Sequence, residues 1–150
     1  MSIRILISDD HAVFRSGLKA LLEKEPDLEV VGESGNGTDT IRAAKQKDFD
    51  ILLLDINMPG LSGPRVAEEV LKVKPNVAIV VLTMHEDEHY LQELFKIGAR
   101  SYVLKKSTGT ELIQAIRAAY GGRIYIDPAL AGLVLSPFVG ATPRREPDRL

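Results

Sequence analysis

Ile51-Leu52-Leu53-Leu54-Asp55 is a run of four apolar residues closed by a carboxylate. Successive side chains on a strand point to opposite faces, so an unbroken apolar run does not suit a strand with one wet face. It suits a strand of a parallel sheet that helices cover on both sides. Val77-Ala78-Ile79-Val80-Val81-Leu82 reads the same way and is followed by Thr83. Ile3, Ile5, Leu6 and Ile7 make a run that ends in Asp9-Asp10. Leu28, Val30 and Val31 suggest another strand, closed by Gly35-Asn36-Gly37, and Tyr102-Val103-Leu104 a fifth, followed by Lys105.

Helical spacing fills the gaps between these runs. Phe14, Leu18, Leu21 and Leu22 recur at that spacing after the first strand. A polar, weakly periodic helix is expected from Thr38 to Lys47. Pro64 suits a first helical position, and Val66, Val70 and Val73 follow at i, i+4, i+7. A fourth helix carries Leu91, Leu94 and Phe95 and stops near Gly98. Thr108-Gly109-Thr110-Glu111 reads as a capping box. Leu112, Ile113, Ile116 and Tyr120 would be the buried stripe behind it, with Gly121-Gly122 ending the helix. The alternation predicts an α/β fold of (βα)5 type, a five-stranded parallel sheet with right-handed crossovers. The domain is expected to span residues 1–122. Residues 123–150 read as a linker with a short helix around Pro128 to Leu135 and a tail rich in Pro and Arg.

The chain has 150 residues, a length that suits one domain with a real core. A formal net charge of −2 gives no basic footprint for nucleic acid. The absence of cysteine excludes a disulfide framework and thiolate metal sites, and fits a reducing cytoplasm. The N-terminus lacks the apolar run of a signal peptide, and no stretch approaches the ~20 apolar residues that span a bilayer. A soluble, cytoplasmic protein without a membrane partner is expected.

Ligands of open α/β sheets bind beyond the carboxyl ends of the strands. Those ends carry Asp9-Asp10, Asp55, Thr83 and Lys105. Two carboxylates 4 Å apart repel by ~4 kcal/mol at an effective dielectric of 20. Such a cluster needs a counter-charge, and a hard divalent cation, Mg²⁺ or Mn²⁺, suits oxygen donors. Cation and Lys105 together would welcome an anion. Asp55 could then act as a nucleophile, since aspartyl carboxylates form acyl-phosphates. Each residue also has an ordinary reading: helix caps for Asp9-Asp10, a turn for Asp55, a cap for Thr83, solvated surface for Lys105. All of them at matching strand ends is the specific signal.

With those residues in place, the pattern resembles the receiver domain of bacterial two-component response regulators over about residues 3 to 121. Asp9-Asp10-His11-Ala12-Val13-Phe14-Arg15-Ser16-Gly17-Leu18 resembles the NarL/FixJ subfamily, whose output is of LuxR type. So do Asp55-Ile56-Asn57-Met58-Pro59, Leu82-Thr83-Met84-His85 and Tyr102-Val103-Leu104-Lys105-Lys106-Ser107. The resemblance implies a flavodoxin-like receiver fold with strand order 2-1-3-4-5. It implies phosphorylation of Asp55 by a sensor histidine kinase. Metal would be held by Asp10, Asp55 and the backbone carbonyl of Asn57, with Asp9 acting through a water. Thr83 and Lys105 would bind the phosphoryl oxygens, and Tyr102 would be an aromatic switch that turns inward as Thr83 moves. Read from spacing alone, Tyr102 is an ordinary half-buried strand aromatic.

Two positions shape access to Asp55. Met84 could narrow the route to it, or pack on the fourth helix; His85 could lie over the phosphoryl group. His11 reads as a helix-start residue, and neither histidine reads as a metal ligand or phosphocarrier. Lys106 stands where many receivers carry Pro, so the isomer of the Lys105–Lys106 peptide is open. A receiver is expected to catalyse only its own phosphorylation and dephosphorylation. A haloacid-dehalogenase-like phosphatase would need a second Asp where Asn57 stands, and a flavodoxin-like cofactor binder would need a Ser/Thr/Gly-rich loop where Asp9-Asp10 stands. The resemblance further implies a homodimer, and DNA contact only through a C-terminal helix-turn-helix domain absent from residues 1–150. The alternative is a stand-alone receiver acting through protein contacts. Residues 122–130 resemble the linker of the subfamily.

Overall fold

The sheet grows outward from Ile51–Asp55, as its unbroken apolar run requires. The computed structural model describes residues 2–84, 88–107, 109–132 and 134. Among them the elements run β1 (Ile3–Ser8), α1 (Ala12–Glu23), β2 (Leu28–Ser34), α2 (Gly37–Gln46), β3 (Ile51–Asp55), α3 (Gly63–Val73), β4 (Ala78–Thr83), α4 (Glu88–Ile97), β5 (Ser101–Leu104), α5 (Thr110–Tyr120) and β6 (Tyr125–Ile126). The sheet order is β2-β1-β3-β4-β5-β6, with every pairing parallel.

The two faces of β3 explain its composition. Leu52 and Leu54 join Leu6, Ile79 and Val81 in a core with Ala44 of α2, Val66 and Val70 of α3, and Leu91 and Leu94 of α4. Ile51 and Leu53 point the other way, to Ile5, Ile7, Val80 and Leu82 and to Leu18 and Leu22 of α1 and Leu112 and Ile116 of α5. Every residue of β3 is buried. Fully burying one such side chain is worth ~1.5–3 kcal/mol, so helices on both faces are what make this strand stable. The α2 and α3 layers touch closely: a Cβ on Gly37 would lie 2.7 Å from Val66 Cγ2.

Among the described residues the sheet has six strands, not the five expected. Tyr125 and Ile126 pair with Ser101 and Tyr102, so the edge of β5 is covered by the segment read from sequence as linker. Two residues are too few to show a period, which is why the strand escapes a sequence reading. Packing continues beyond it, with Leu130 and Val134 fully buried in the same core as Tyr102.

Local details differ too. The α5 helix begins at Thr110 with Gly109 as N-cap and no side-chain cap bond. The capping box read from Thr108 to Glu111 falls on Thr108, which lies outside the described residues. Tyr120 is 46% exposed, because Ala115 and Ala119 continue the Leu112–Ile116 stripe instead. Val73 is also exposed; the buried face of α3 runs through Val66, Ala67 and Val70 and ends before it. The α5 terminus follows expectation: Arg123 N–H donates to Ala118 O and Gly122 N–H to Ala119 O, with Gly122 at φ 79°.

Candidate functional site

Parallel strands bring their carboxyl ends to one edge, and the sheet register sets the heights. Asp55 pairs with Leu82 and Thr83 with Leu104, so Lys105 emerges beside Thr83. Asp9 N–H donates to Ser34 O, holding the turn after β1 against the end of β2. Arg15 of α1 fixes the same turn, donating to the backbone carbonyl of Asp9 and, from Nε, to Glu33 Oε1 at 3.0 Å. Asp9, Asp55 and Thr83 are fully buried.

The two buried carboxylates are held on one side by backbone. Asp55 Oδ1 accepts from Asn57 N–H at 2.9 Å, and Asp9 Oδ1 from His11 N–H at 2.7 Å. Their other oxygens meet at Lys105. Its Nζ lies 3.1 Å from Asp55 Oδ2 and 3.2 Å from Asp9 Oδ2. The Phe14 ring lies under the same ammonium, 4.5 Å from Nζ to centroid. The Lys105 side chain is only 11% exposed, which excludes its ordinary reading as solvated surface.

One lysine does not balance this cluster. Asp9, Asp10, His11 and Asp55 each offer a ligand atom within 4.8 Å of the others. Asp9 Oδ2 and Asp10 Oδ1 are buried with no hydrogen-bond partner. Lys105 Nζ lies 3.2 Å from Asp9 Oδ2 and His11 Nδ1 3.2 Å from Asp10 Oδ1, close but without hydrogen-bond alignment. Burial pushes the Asp55 carboxyl above the ordinary carboxylate range and Asp9 adds to the shift, opposed by Asn57 N–H and Lys105. Orphaned carboxylate oxygens around one point, facing a hard-oxygen donor set, fit a divalent cation such as Mg²⁺ or Mn²⁺.

The other candidates sit around this centre. Met84 N–H donates to Asn57 Oδ1 at 3.3 Å, tying the loop after β4 to the loop after β3. Met84 itself is 53% exposed and not packed away under α4. With Thr83, Leu104, Lys105 and Lys106 it lines a recess of about 150 Å³ beside the site. Tyr102 is fully buried, not half-buried; its hydroxyl donates to Ala99 O at 3.0 Å and its ring lies 6.2 Å from that of Phe95. Burial pushes its phenol well above the ordinary range. No described peptide bond is cis, Lys105–Lys106 included. His85 lies outside the described residues.

Sequence reasoning missed four participants. His11 is the N-cap of α1, as its helix-start reading holds, but its Nδ1 also joins the acidic group. Phe14 and Arg15 follow it at i+3 and i+4, one turn further along α1. That spacing was the available signal, because it returns both side chains to the end of β1 that His11 occupies. Asp127 gave no signal; it is a buried carboxylate in a segment read as linker.

Comparison with known proteins gives a consistent picture. The family model described as response regulator receiver domain matches residues 5–117. The oxygen regulatory protein NreC of Staphylococcus carnosus is 36% identical over 141 residues, covering 93% of this chain and 65% of NreC. The chain thus spans less than two thirds of that curated relative. A LuxR-family two-component response regulator from Aurantimonas sp. superposes with a TM-score of 0.84 at 30% identity, over 93% of this chain and 99% of that one. The isolated receiver domain of RcsB from Salmonella enterica serovar Typhimurium, solved with the phosphomimetic BeF3−, gives 0.80 at 26% identity, over 89% and 99%. RcsB is also known as two dimers bound to two parallel DNAs, again with a TM-score of 0.80 at 26% identity, over 89% of this chain and 68% of that one.

Proposed function

Because the chain belongs to the response regulator receiver domain family, whose members switch on phosphorylation, we propose that its phosphoacceptor is Asp55. The observation that carries this is the meeting of Lys105 Nζ with both Asp55 Oδ2 and Asp9 Oδ2 at one sheet edge, where Asp9 Oδ2 and Asp10 Oδ1 are buried without hydrogen bonds.

The chain's own residues supply positioning and charge, which is most of what in-line phosphoryl transfer needs. A carboxylate oxygen of Asp55 attacks the phosphorus of a sensor kinase's phosphohistidine. The P–N bond breaks, and the imidazole leaves with the electron pair. Lys105, now beside Asp55 Oδ2, moves onto a phosphoryl oxygen. The Thr83 hydroxyl takes another, and Tyr102 reports the change through β5. Asp10, Asp55 and the Asn57 carbonyl would hold Mg²⁺ or Mn²⁺, with Asp9 acting through a water. Such an ion, when bound, neutralises charge on the phosphoryl oxygens. The domain turns over no other substrate; it forms and loses its own acyl-phosphate.

The regulatory names of its relatives, and RcsB dimers on DNA, support a cytoplasmic regulator whose receiver, read from sequence as residues 1–122, also packs β6, Leu130 and Val134 onto its sheet and core. In this reading it dimerises and acts on DNA through a helix-turn-helix output domain reached by the linker. No helix among the described residues is long and apolar enough to cross a membrane. The test is Asp55→Asn, which keeps shape and removes the attacking oxyanion. Incubated with acetyl phosphate and Mg²⁺, the wild type should gain one acid-labile phosphoryl group by intact mass and the variant none. Equal incorporation would reject Asp55.

A further inference from the structure

Asp127 lies ten residues beyond the stretch matched by the family model, yet it is only 5% exposed. A carboxylate buried this far needs partners, and it has them. Oδ1 accepts from Ala129 N–H at 3.0 Å, and Oδ2 from Leu104 N–H at 3.3 Å. Its backbone N–H donates to Tyr102 O at 2.8 Å, and its carbonyl accepts from Leu130 N–H at 2.8 Å. The residue therefore grips β5 twice, at Tyr102 and at Leu104. Leu104 is the residue before Lys105 and the register partner of Thr83.

We propose that Asp127 is a positioning residue for Lys105, a reading that rests on the phosphoacceptor role of Asp55. The last residue of β5 has its N–H on the side away from β4, where β6 is already too short to reach it. Without a partner that donor would be buried and unsatisfied, and the strand end would be free to shift. The carboxylate of Asp127 supplies the partner and fixes the point from which the Lys105 side chain reaches Asp9 and Asp55. The contact also works in reverse. Whatever displaces the segment carrying Asp127, Leu130 and Val134 loosens the root of Lys105. Any movement of Lys105 onto a phosphoryl group in turn acts on that segment, because coupling between two sites is reciprocal.

The experiment compares the 150-residue chain with Asp127→Ala, Asp127→Asn and Leu130→Ala. It reads three quantities: the rate of labelling by acetyl phosphate in saturating Mg²⁺, the Mg²⁺ affinity, and hydrogen exchange of the Leu104 amide. Losing one anchoring hydrogen bond should slow labelling by about threefold to tenfold in Asp127→Ala. The Leu104 amide should exchange faster, and Mg²⁺ affinity should stay within about twofold, since Asp9 and Asp10 lie in the turn after β1 and Asp55 at the end of β3. Asp127→Asn, which keeps the shape and one acceptor oxygen, should fall between, and it reads the same order if the alanine variant does not fold. Leu130→Ala loosens the segment without removing the carboxylate, so it should slow labelling only in step with faster exchange of the Leu104 amide. Wild-type labelling by Asp127→Ala would overturn the proposal. So would slow labelling matched by an equal loss of Mg²⁺ affinity, or slow labelling in Leu130→Ala with the Leu104 amide still protected. A wild-type chain that takes no phosphate would instead overturn the reading of Asp55 on which the proposal rests.

Discussion

Replacing Asp55 by Asn should make the metal-free protein more stable, although it removes the proposed phosphoacceptor. Asp55 is fully buried and shares its site with Asp9 and Asp10, whose ligand oxygens lie within 4.8 Å of its own. At that limit and an effective dielectric of 20, each repulsion is ~3.5 kcal/mol, together ~7. Lys105, at 3.1 Å, returns ~5 kcal/mol on the same footing. The balance is ~2 kcal/mol against the charged carboxylate, before any cost of desolvation. Asparagine removes the charge and keeps an oxygen for Asn57 N–H, while Lys105 keeps Asp9. A gain of ~1–2 kcal/mol corresponds to about 3–6 °C in a domain of this size.

Thermal unfolding in chelator, followed by circular dichroism, measures it. The direction of the Asp55 shift fixes the pH dependence. Burial raises its folded-state pKa, so the fold binds that proton more tightly than the unfolded chain does. The penalty is absent below the ordinary carboxylate value and grows as pH rises through the raised one. The advantage of Asn should therefore be full at neutral pH and shrink in acid. Mg²⁺ should narrow the gap, because a ligand that binds only the fold stabilises the wild type by mass action and the variant less. An Asp55→Asn chain melting below the wild type in chelator at neutral pH would refute the charge argument.

Lys105→Ala should be the converse: it strands Asp9 and Asp55 without their cation and should cost about 3 kcal/mol. In an Asp55→Asn background only about half of that cost should vanish, because Asp9 still loses its cation, as a double-mutant cycle in urea would show. Met84 lines the recess beside Thr83 and Lys105, so Met84→Ala should open a water path and speed loss of phosphate several-fold, ~1 kcal/mol in barrier; unchanged decay would mean Met84 does not guard the path. Arg117 of α5 grips Asp27 at 2.8 Å and Glu25 at 2.9 Å. Its hydrogen bond holds the Asp27 carboxyl below the ordinary range. That contribution exists above the ordinary carboxylate pKa and fades as pH falls through the depressed one. Arg117→Ala should lower the melting temperature slightly at neutral pH and not in strong acid or high salt, and a loss that persisted in acid would point to packing instead.

The positions of Asp9, Asp10, Asp55, Thr83 and Lys105 were legible because topology converts order into place. In a parallel sheet every strand's last residue reaches the same edge, so finding the ends of the apolar runs finds the site. Side chains that arrive by other routes leave no such mark. Phe14 and Arg15 reach the site across a turn of α1, where their spacing also suits plain packing. Asp127 arrives through a two-residue strand that no periodicity can reveal. Tyr102 is fully buried beside Phe95, and a three-residue run could not say which face of β5 it would use or what would cover it. The same limit applies to charge. An acidic residue at a strand end caps turns more often than it does chemistry, and composition cannot tell the cases apart. Distance does: an ammonium only 11% exposed, shared between two fully buried carboxylates, is too costly to be an accident of turn formation. Strand ends therefore locate the acids, and the burial of Lys105 is what separates a charge-binding site from a set of caps.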